Sequence, residues 1–188
     1  MNLKCAVGGG EAVAFDFIVV SGANSALPHG VPSDKVIAQG DFVTMDFGGM
    51  VDGWNSDMTR TVAVGSCSDE QRRVYDTVLR AQTACFQVLR AGLPCIQGDG
   101  AARNVIESAG YGGFFGHGTG HGVGMDIHEA PRMSPSSGDE VLREGSVVTV
   151  EPGIYLPDRF GVRIEDMVLI TKDGYRDLTK SSKELIIL

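Results

Sequence analysis

Four acids and a cluster of histidines carry most of the chemical potential of this sequence. Asp46 and Asp57 stand eleven residues apart, and Glu151 and Glu165 stand fourteen apart. Asp46 and Glu151 each close a run of strand-forming residues. The run Gly-Asp-Phe-Val-Thr-Met-Asp-Phe-Gly, residues 40–48, aligns with Gly-Ser-Val-Val-Thr-Val-Glu-Pro-Gly, residues 145–153, with the glycines, the Thr and the acid in register. This echo reads as an internal repeat, two related hairpins facing each other and building one site from both halves. Parity supports it. If Asp52-Gly53 forms a type I′ turn, Val51 faces Trp54 and Asp57 faces Gly48, so Asp46 and Asp57 point the same way. A solvated outer face would explain such a pair, but Val43, Met45 and Phe47 give the strand apolar residues on both faces. Ionised carboxylates gathered in an apolar sheet repel one another and lose hydration, so they call for a cation.

The candidate ligands are Asp46, Asp57, Glu151, Glu165 and one histidine. Carboxylates with an imidazole suit hard or borderline divalent ions rather than a soft thiolate site. Manganese heads the candidates, with cobalt, zinc or iron as alternatives. Four negative charges balance two such ions, which together clamp and activate a water. His117, His121 and His128 fall within twelve residues, in a glycine-rich run that resembles neither a zinc-binding His-Glu-x-x-His helix nor a phosphate loop. The glycines are expected to let the backbone approach a substrate closely.

Positioning these residues requires strands and a few helices. Strands are expected from Phe15 to Val20, Phe42 to Phe47, Trp54 to Val64, Ser146 to Glu151 and Val162 to Thr171. A turn falls near Pro157-Asp158, and another at Asp173-Gly174 leads into a short tail from Leu185 to Leu188. Ser68 and Gln71 make a capping box for a helix whose apolar residues run from Val74 to Leu89 and which Gly92 and Pro94 stop. A second helix is expected from about Asp99 to Ala109, while residues 112–138 read as loop. Strands, a hairpin, helices and a second hairpin make an α+β fold rather than alternating βαβ units. The chain has 188 residues, 43% hydrophobic and 21% charged, with net charge −8. That fits a single globular domain spanning 1–188. No basic stripe points to nucleic acid, and no apolar run spans a membrane. Cys5, Cys67, Cys85 and Cys95 lie far apart, which suits reduced thiols and a cytoplasmic location.

Taken together, Asp46, Asp57, His121, Glu151 in Thr-Val-Glu-Pro-Gly, and Glu165 in Val-Arg-Ile-Glu-Asp resemble the five-ligand set of the pita-bread metallopeptidases. That family includes methionine aminopeptidase, aminopeptidase P and prolidase. Ser56-Asp57-Met-Thr-Arg-Thr and His121-Gly-Val-Gly-Met-Asp-Ile-His128-Glu-Ala-Pro resemble its Xaa-Pro branch. The resemblance implies a pita-bread fold, with two pseudo-symmetric β-hairpin halves and helices packed on one face of a curved antiparallel sheet. It implies two divalent ions, one held by Asp46, one by His121 and Glu151, with Asp57 and Glu165 bridging. A bridging hydroxide would cleave the bond before proline in Xaa-Pro peptides, with Glu151 as proton acceptor. His128 would support the carbonyl as charge develops, His29 would lie near the scissile bond or the leaving proline, and Arg163 would orient Glu165 or the substrate. His117 would stand one layer further out. A homodimer is also implied.

Against the family pattern, residues 1–11 read as an irregular, glycine-rich lead-in. The family's N-terminal domain and first helices are expected to be absent, leaving one sheet face bare. Other readings are a catalytically silent fragment acting as a binding protein and a methionine-aminopeptidase-like activity. A metal-free creatine-type hydrolase would lack the ligand acids. A two-metal phosphatase would have only Arg60 and Arg163 as a phosphate clamp.

Overall fold

The computed structural model describes residues 10–188. The strands are β1 (Ala12–Val13), β2 (Ile18–Ser21), β3 (Phe42–Phe47), β4 (Gly49–Val51), β5 (Trp54–Asn55), β6 (Met58–Ala63), β7 (Gly120–Gly122), β8 (Glu129–Met133), β9 (Val147–Val150), β10 (Gly153–Leu156), β11 (Phe160–Arg163), β12 (Asp166–Thr171) and β13 (Gly174–Asp177). Two α-helices, α1 (Asp69–Val88) and α2 (Cys95–Ser108), lie between β6 and β7.

The two halves repeat one plan. β3 is central between β2 and β6, and β9 is central between β7 and β12. Gly40 and Gly145, which open the two central strands, share one left-handed backbone conformation, with φ of +86° and +87°. Each central strand runs into a hairpin, β4–β5 or β10–β11, and each hairpin turns through a non-glycine residue at positive φ, Asp52 or Asp158. All named pairings are antiparallel. The halves meet through Phe42 and Phe160, edge to face with ring centroids 5.5 Å apart, and through Thr61 Oγ1, which donates to Arg163 O.

Helix α1 starts where its chemistry dictates. Ser68 Oγ accepts from Gln71 N, and the Gln71 side chain accepts from Ser68 N, closing the capping box. Val74, Tyr75, Val78, Ala81, Cys85 and Phe86 are buried on one stripe against the second-half sheet and α2. Fully burying each large apolar side chain contributes about 1.5–3 kcal/mol. Cys85 and Cys95 lie in this core as free thiols, and burial pushes both up, Cys95 to about 11.

Several expectations need correction. The strand expected from Phe15 to Val20 forms only from Ile18, as β2, and a separate short strand, β1, precedes it and pairs with β4. Helix α2 begins at Cys95 rather than Asp99, because Pro94 starts this helix as well as ending the previous segment. Residues 112–138 are not all loop: they hold β7, whose two glycines conceal strand propensity, and β8, which carries Pro131 in its middle. A Cβ at Gly120 would lie 2.0 Å from Thr149 O, and one at Gly122 would lie 2.4 Å from Ala130 O. There the glycines admit the neighbouring strands, and Gly120 also lines the cavity described below. The long strands expected at 54–64 and 162–171 each break in two, at Ser56-Asp57 and at Ile164-Glu165. After Asp173, β13 adds an edge strand. The tail then returns to the first half, where Leu188 N donates to Ala63 O.

Most of the irregular lead-in expected at 1–11 lies outside the described residues. Among the described residues no α-helix precedes β6. The outer side of the β2–β3–β6 sheet shows Val19 43% and Phe47 39% exposed, with Met45 opposite Val19 and Met58 opposite Phe47.

Candidate metal centre and its surroundings

The β3–β4/β5–β6 register places Asp46 opposite Thr59 and Val51 opposite Trp54. Continued inward, that register sets Asp57 across from Gly48, so the two aspartates share the inner face as parity requires. The fit depends on Gly48, since a Cβ there would lie 1.8 Å from Ser56 O. In the second half, Glu151 follows β9 and Glu165 stands in the break before β12. Asp46, Asp57, His121, Glu151, Glu165, Arg163, His29 and His128 all line one cavity of about 460 Å³.

His121 is held from both sides. Its backbone N–H donates to Thr149 Oγ1 at 3.0 Å, and its Nδ1 lies 2.9 Å from Gly122 O. Placing the proton on Nδ1 turns Nε2 toward Glu151 Oε1 at 3.3 Å and Asp57 Oδ2 at 3.7 Å. A carbonyl-anchored ring with its other nitrogen aimed at carboxylates is the usual setting of a metal-ligating histidine. Thr59 Oγ1 donates to Glu165 Oε2 at 2.6 Å, and Thr149 Oγ1 donates to Glu151 Oε1 at 3.1 Å.

The electrostatics show what the cluster lacks. Burial pushes the Asp57 carboxyl up to about 8, and the charges of Asp46 and Glu151 push the same way. Burial, with the charges of Glu151, Asp57 and Asp46, drives Glu165 well above the usual carboxylate range. Burial also raises Asp46, against the opposing Arg163. Burial would raise Glu151 too, but the His121 hydrogen bond and the charges of His117, His121 and Arg163 outweigh it and hold Glu151 low. Burial would lower His121, yet Glu151 and Asp57 keep it raised. Asp46 Oδ1 is buried with no hydrogen-bond partner among the described residues. Ligand atoms of Asp57, His121 and Glu165 all lie within 4.8 Å of one another. Crowded carboxylates with an orphaned oxygen and an oriented imidazole fit a divalent cation.

Arg163 is a buried cation that the chain itself sets among the acids. It is 3% exposed, and its Nη2 lies 2.6 Å from Asp46 Oδ2. It also donates to Thr59 Oγ1, Tyr155 Oη and Pro28 O. Its direct partner is therefore Asp46 rather than Glu165. Arg60 lies away from the cavity, bound to Asp166 and to the carbonyls of Ser181 and Ser182, so no phosphate clamp forms. His128 lies beside His121, the rings tilted by 56° with centroids 4.4 Å apart, and is itself exposed. Exposed His29 lies at the cavity wall next to Pro28. His117 reaches Tyr155 Oη at 2.7 Å, one residue removed from Arg163.

Tyr155, Thr59 and Thr149 are the participants that sequence reasoning missed. Strand period offered a signal for Tyr155, because Glu151, Gly153 and Tyr155 alternate onto one face. Gly153, opposite Arg163, leaves the Tyr155 ring its room, since a Cβ there would lie 2.5 Å from Tyr155 Oη.

This fold and acid-rich cavity define a metallopeptidase-type domain. Residues 1–172 match the sequence profile of metallopeptidase family M24. The chain is 51% identical over 178 residues to the Xaa-Pro dipeptidase of Pyrococcus horikoshii, covering 95% of this chain and 50% of that protein. The crystal structure of an X-Pro aminopeptidase from Thermotoga maritima superposes with a TM-score of 0.93 at 44% identity, over 96% of this chain and 51% of that one. Prolidase from Pyrococcus furiosus gives 0.90 at 50% identity, over 93% and 51%. The chain therefore belongs to metallopeptidase family M24 and has its pita-bread fold. It spans about half the length of these relatives. No helix among the described residues is long and apolar enough to cross a membrane.

Proposed function

We propose that this chain is the catalytic domain of a metal-dependent Xaa-Pro exopeptidase, of the dipeptidase or aminopeptidase P type. One observation carries the reading: five candidate ligands from both halves line a single cavity with five further basic side chains, His29, His117, His128, Arg132 and Arg163. Asp46 would hold one divalent ion, His121 and Glu151 a second, and Asp57 and Glu165 would bridge the pair. Manganese is the first choice and cobalt, zinc or iron the alternatives. Two such ions supply Lewis-acid polarisation and a nucleophile available at neutral pH.

The chain's own groups do the rest. Glu151, held low and oriented by Thr149, is ready to accept a proton from the attacking water. His128 stands at the exposed rim, where its ring can donate to the substrate carbonyl oxygen as charge develops. His29 and Pro28 form the wall where a proline ring would pack. Arg163 fixes Asp46 and keeps one positive charge beside the acids. A proline at the second position offers no N–H at the scissile bond, so recognition must come from ring shape and carbonyl contacts. The relatives named above support this substrate class.

The test is hydrolysis of Leu-Pro and of longer Xaa-Pro peptides with manganese added, beside the Glu151→Gln variant. Turnover by the unsubstituted chain and a loss of about 10³-fold in Glu151→Gln are expected, a general-base contribution combined with an altered ligand. Full metal occupancy without hydrolysis of any peptide refutes the enzymatic reading in favour of a silent binding protein. Preference for N-terminal methionine without proline moves it to the methionine-aminopeptidase type.

A further inference from the structure

Behind the cavity, on the helix side of the sheet, one polar side chain touches the segments carrying both glutamates. Gln82 of α1 is 0% exposed. Its Nε2 donates to Val150 O at 3.0 Å and to Ile164 O at 3.2 Å, with Asp166 Oδ2 at 3.4 Å. Val150 and Ile164 immediately precede Glu151 and Glu165. The peptide units joining them to the glutamates are held at their other ends as well. Glu151 N donates to Thr119 O at 2.8 Å, and Glu165 N donates to Thr59 O at 3.1 Å. Each of these two peptide planes is thus fixed on both sides.

The Gln82 carbonyl makes the purpose clearer. Oε1 is buried with no hydrogen-bond partner among the described residues. An unpaired buried acceptor opposes folding, and an unbranched apolar residue would fill the same space without it. The amide is therefore useful here for its two N–H donors. Val150 is the last residue of β9, paired there with Asp166 of β12, and Ile164 lies in the break between β11 and β12. Glu151 and Glu165 themselves stand outside the strands, so their aim is not fixed by a ladder pairing of their own.

We propose that Gln82 is a positioning residue, a clamp from α1 that sets the relative orientation of Glu151 and Glu165 and so pre-organises the metal centre. This rests on the metal-centre reading above. Partners one layer behind metal ligands typically govern about 10–100-fold in metal affinity.

The test compares Gln82→Met with Val78→Ala, a core truncation on the same helix with no bond to either glutamate segment. Co²⁺ binding is followed by calorimetry and by visible absorption. Gln82→Met should bind Co²⁺ at least about tenfold more weakly, with an altered absorption envelope. Val78→Ala should melt at a lower temperature yet bind Co²⁺ as the unsubstituted chain does. Affinity of Gln82→Met within threefold of the unsubstituted chain, or an equal loss in Val78→Ala, overturns the proposal. Should Gln82→Met fail to fold, NMR of the unsubstituted chain decides. Its Gln82 side-chain amide protons should exchange slowly with water, and more slowly still after Zn²⁺ is added; exchange that metal leaves unchanged overturns the clamp. An unsubstituted chain that binds no Co²⁺ overturns the metal-centre reading itself, and the clamp with it.

Discussion

Removing metal should make this domain less stable at pH 8 than at pH 7. Burial, assisted by Asp46 and Glu151, shifts the Asp57 carboxyl from 3.8 to about 8 in the native state. The metal-free native chain therefore keeps a proton that the unfolded chain has released. The stability tied to that proton is complete below 3.8 and is lost as pH rises through about 8. Between pH 7 and pH 8 native occupancy of the proton falls from about 0.9 to about 0.5, and the integrated linkage is about 1 kcal/mol. Glu165 is shifted in the same direction and adds to the loss. Burial lowers His117 and His128 from 6.5; they oppose the trend by only a few tenths of a kcal/mol, because the unfolded histidines are already mostly neutral. For a domain of this size the drop corresponds to about 2–4 °C in melting temperature per kcal/mol. The assay is a circular-dichroism melt in chelator at both pH values, repeated with saturating manganese. Metal holds the acids ionised throughout, so the drop should vanish. Calorimetric titration of metal at pH 7, in buffers of different ionisation enthalpy, should show release of about one proton or more per chain. A chelated chain as stable at pH 8 as at pH 7, together with metal uptake that releases no protons, would refute the account of these acids.

Three substitutions probe the scaffold. Gly48→Ala sets a methyl 1.8 Å from Ser56 O and should cost roughly 3 kcal/mol or more; Gly113→Ala, with open space around it, should stay within about 0.5 kcal/mol, and urea denaturation compares them. Arg163→Met removes the buried partner of Asp46 and should cost about 3–5 kcal/mol in chelator, part of which added manganese restores; melts with and without metal would expose an unchanged stability, and with it an error in the assigned pair.

Much of the site was legible because its signals are local. The capping box at Ser68 and Gln71, the hairpin turn at Asp52-Gly53, and the parity that sets Asp46 and Asp57 on one face all follow from spacing of a few residues. The repeat between 40–48 and 145–153 showed that two halves would share one site. Other features were hidden. Strand β7 has three residues, two of them glycine, so no propensity marks it; the backbones that crowd Gly120 and Gly122 make it a strand. Thr59 and Thr149 looked like ordinary strand residues, and Gln82 like one more helix-former.

The sequence by itself determined which groups are present and which face of each strand they occupy, because side-chain direction along a strand obeys a period of two. The tertiary structure decided which distant groups meet. Arg163 lies two residues from Glu165, yet its Nη2 pairs with Asp46 in the other half. Gln82 reaches the segments bearing both glutamates only because α1 packs behind the sheet. Such pairings depend on how two halves and a helix close around a common core, and no local period encodes that closure.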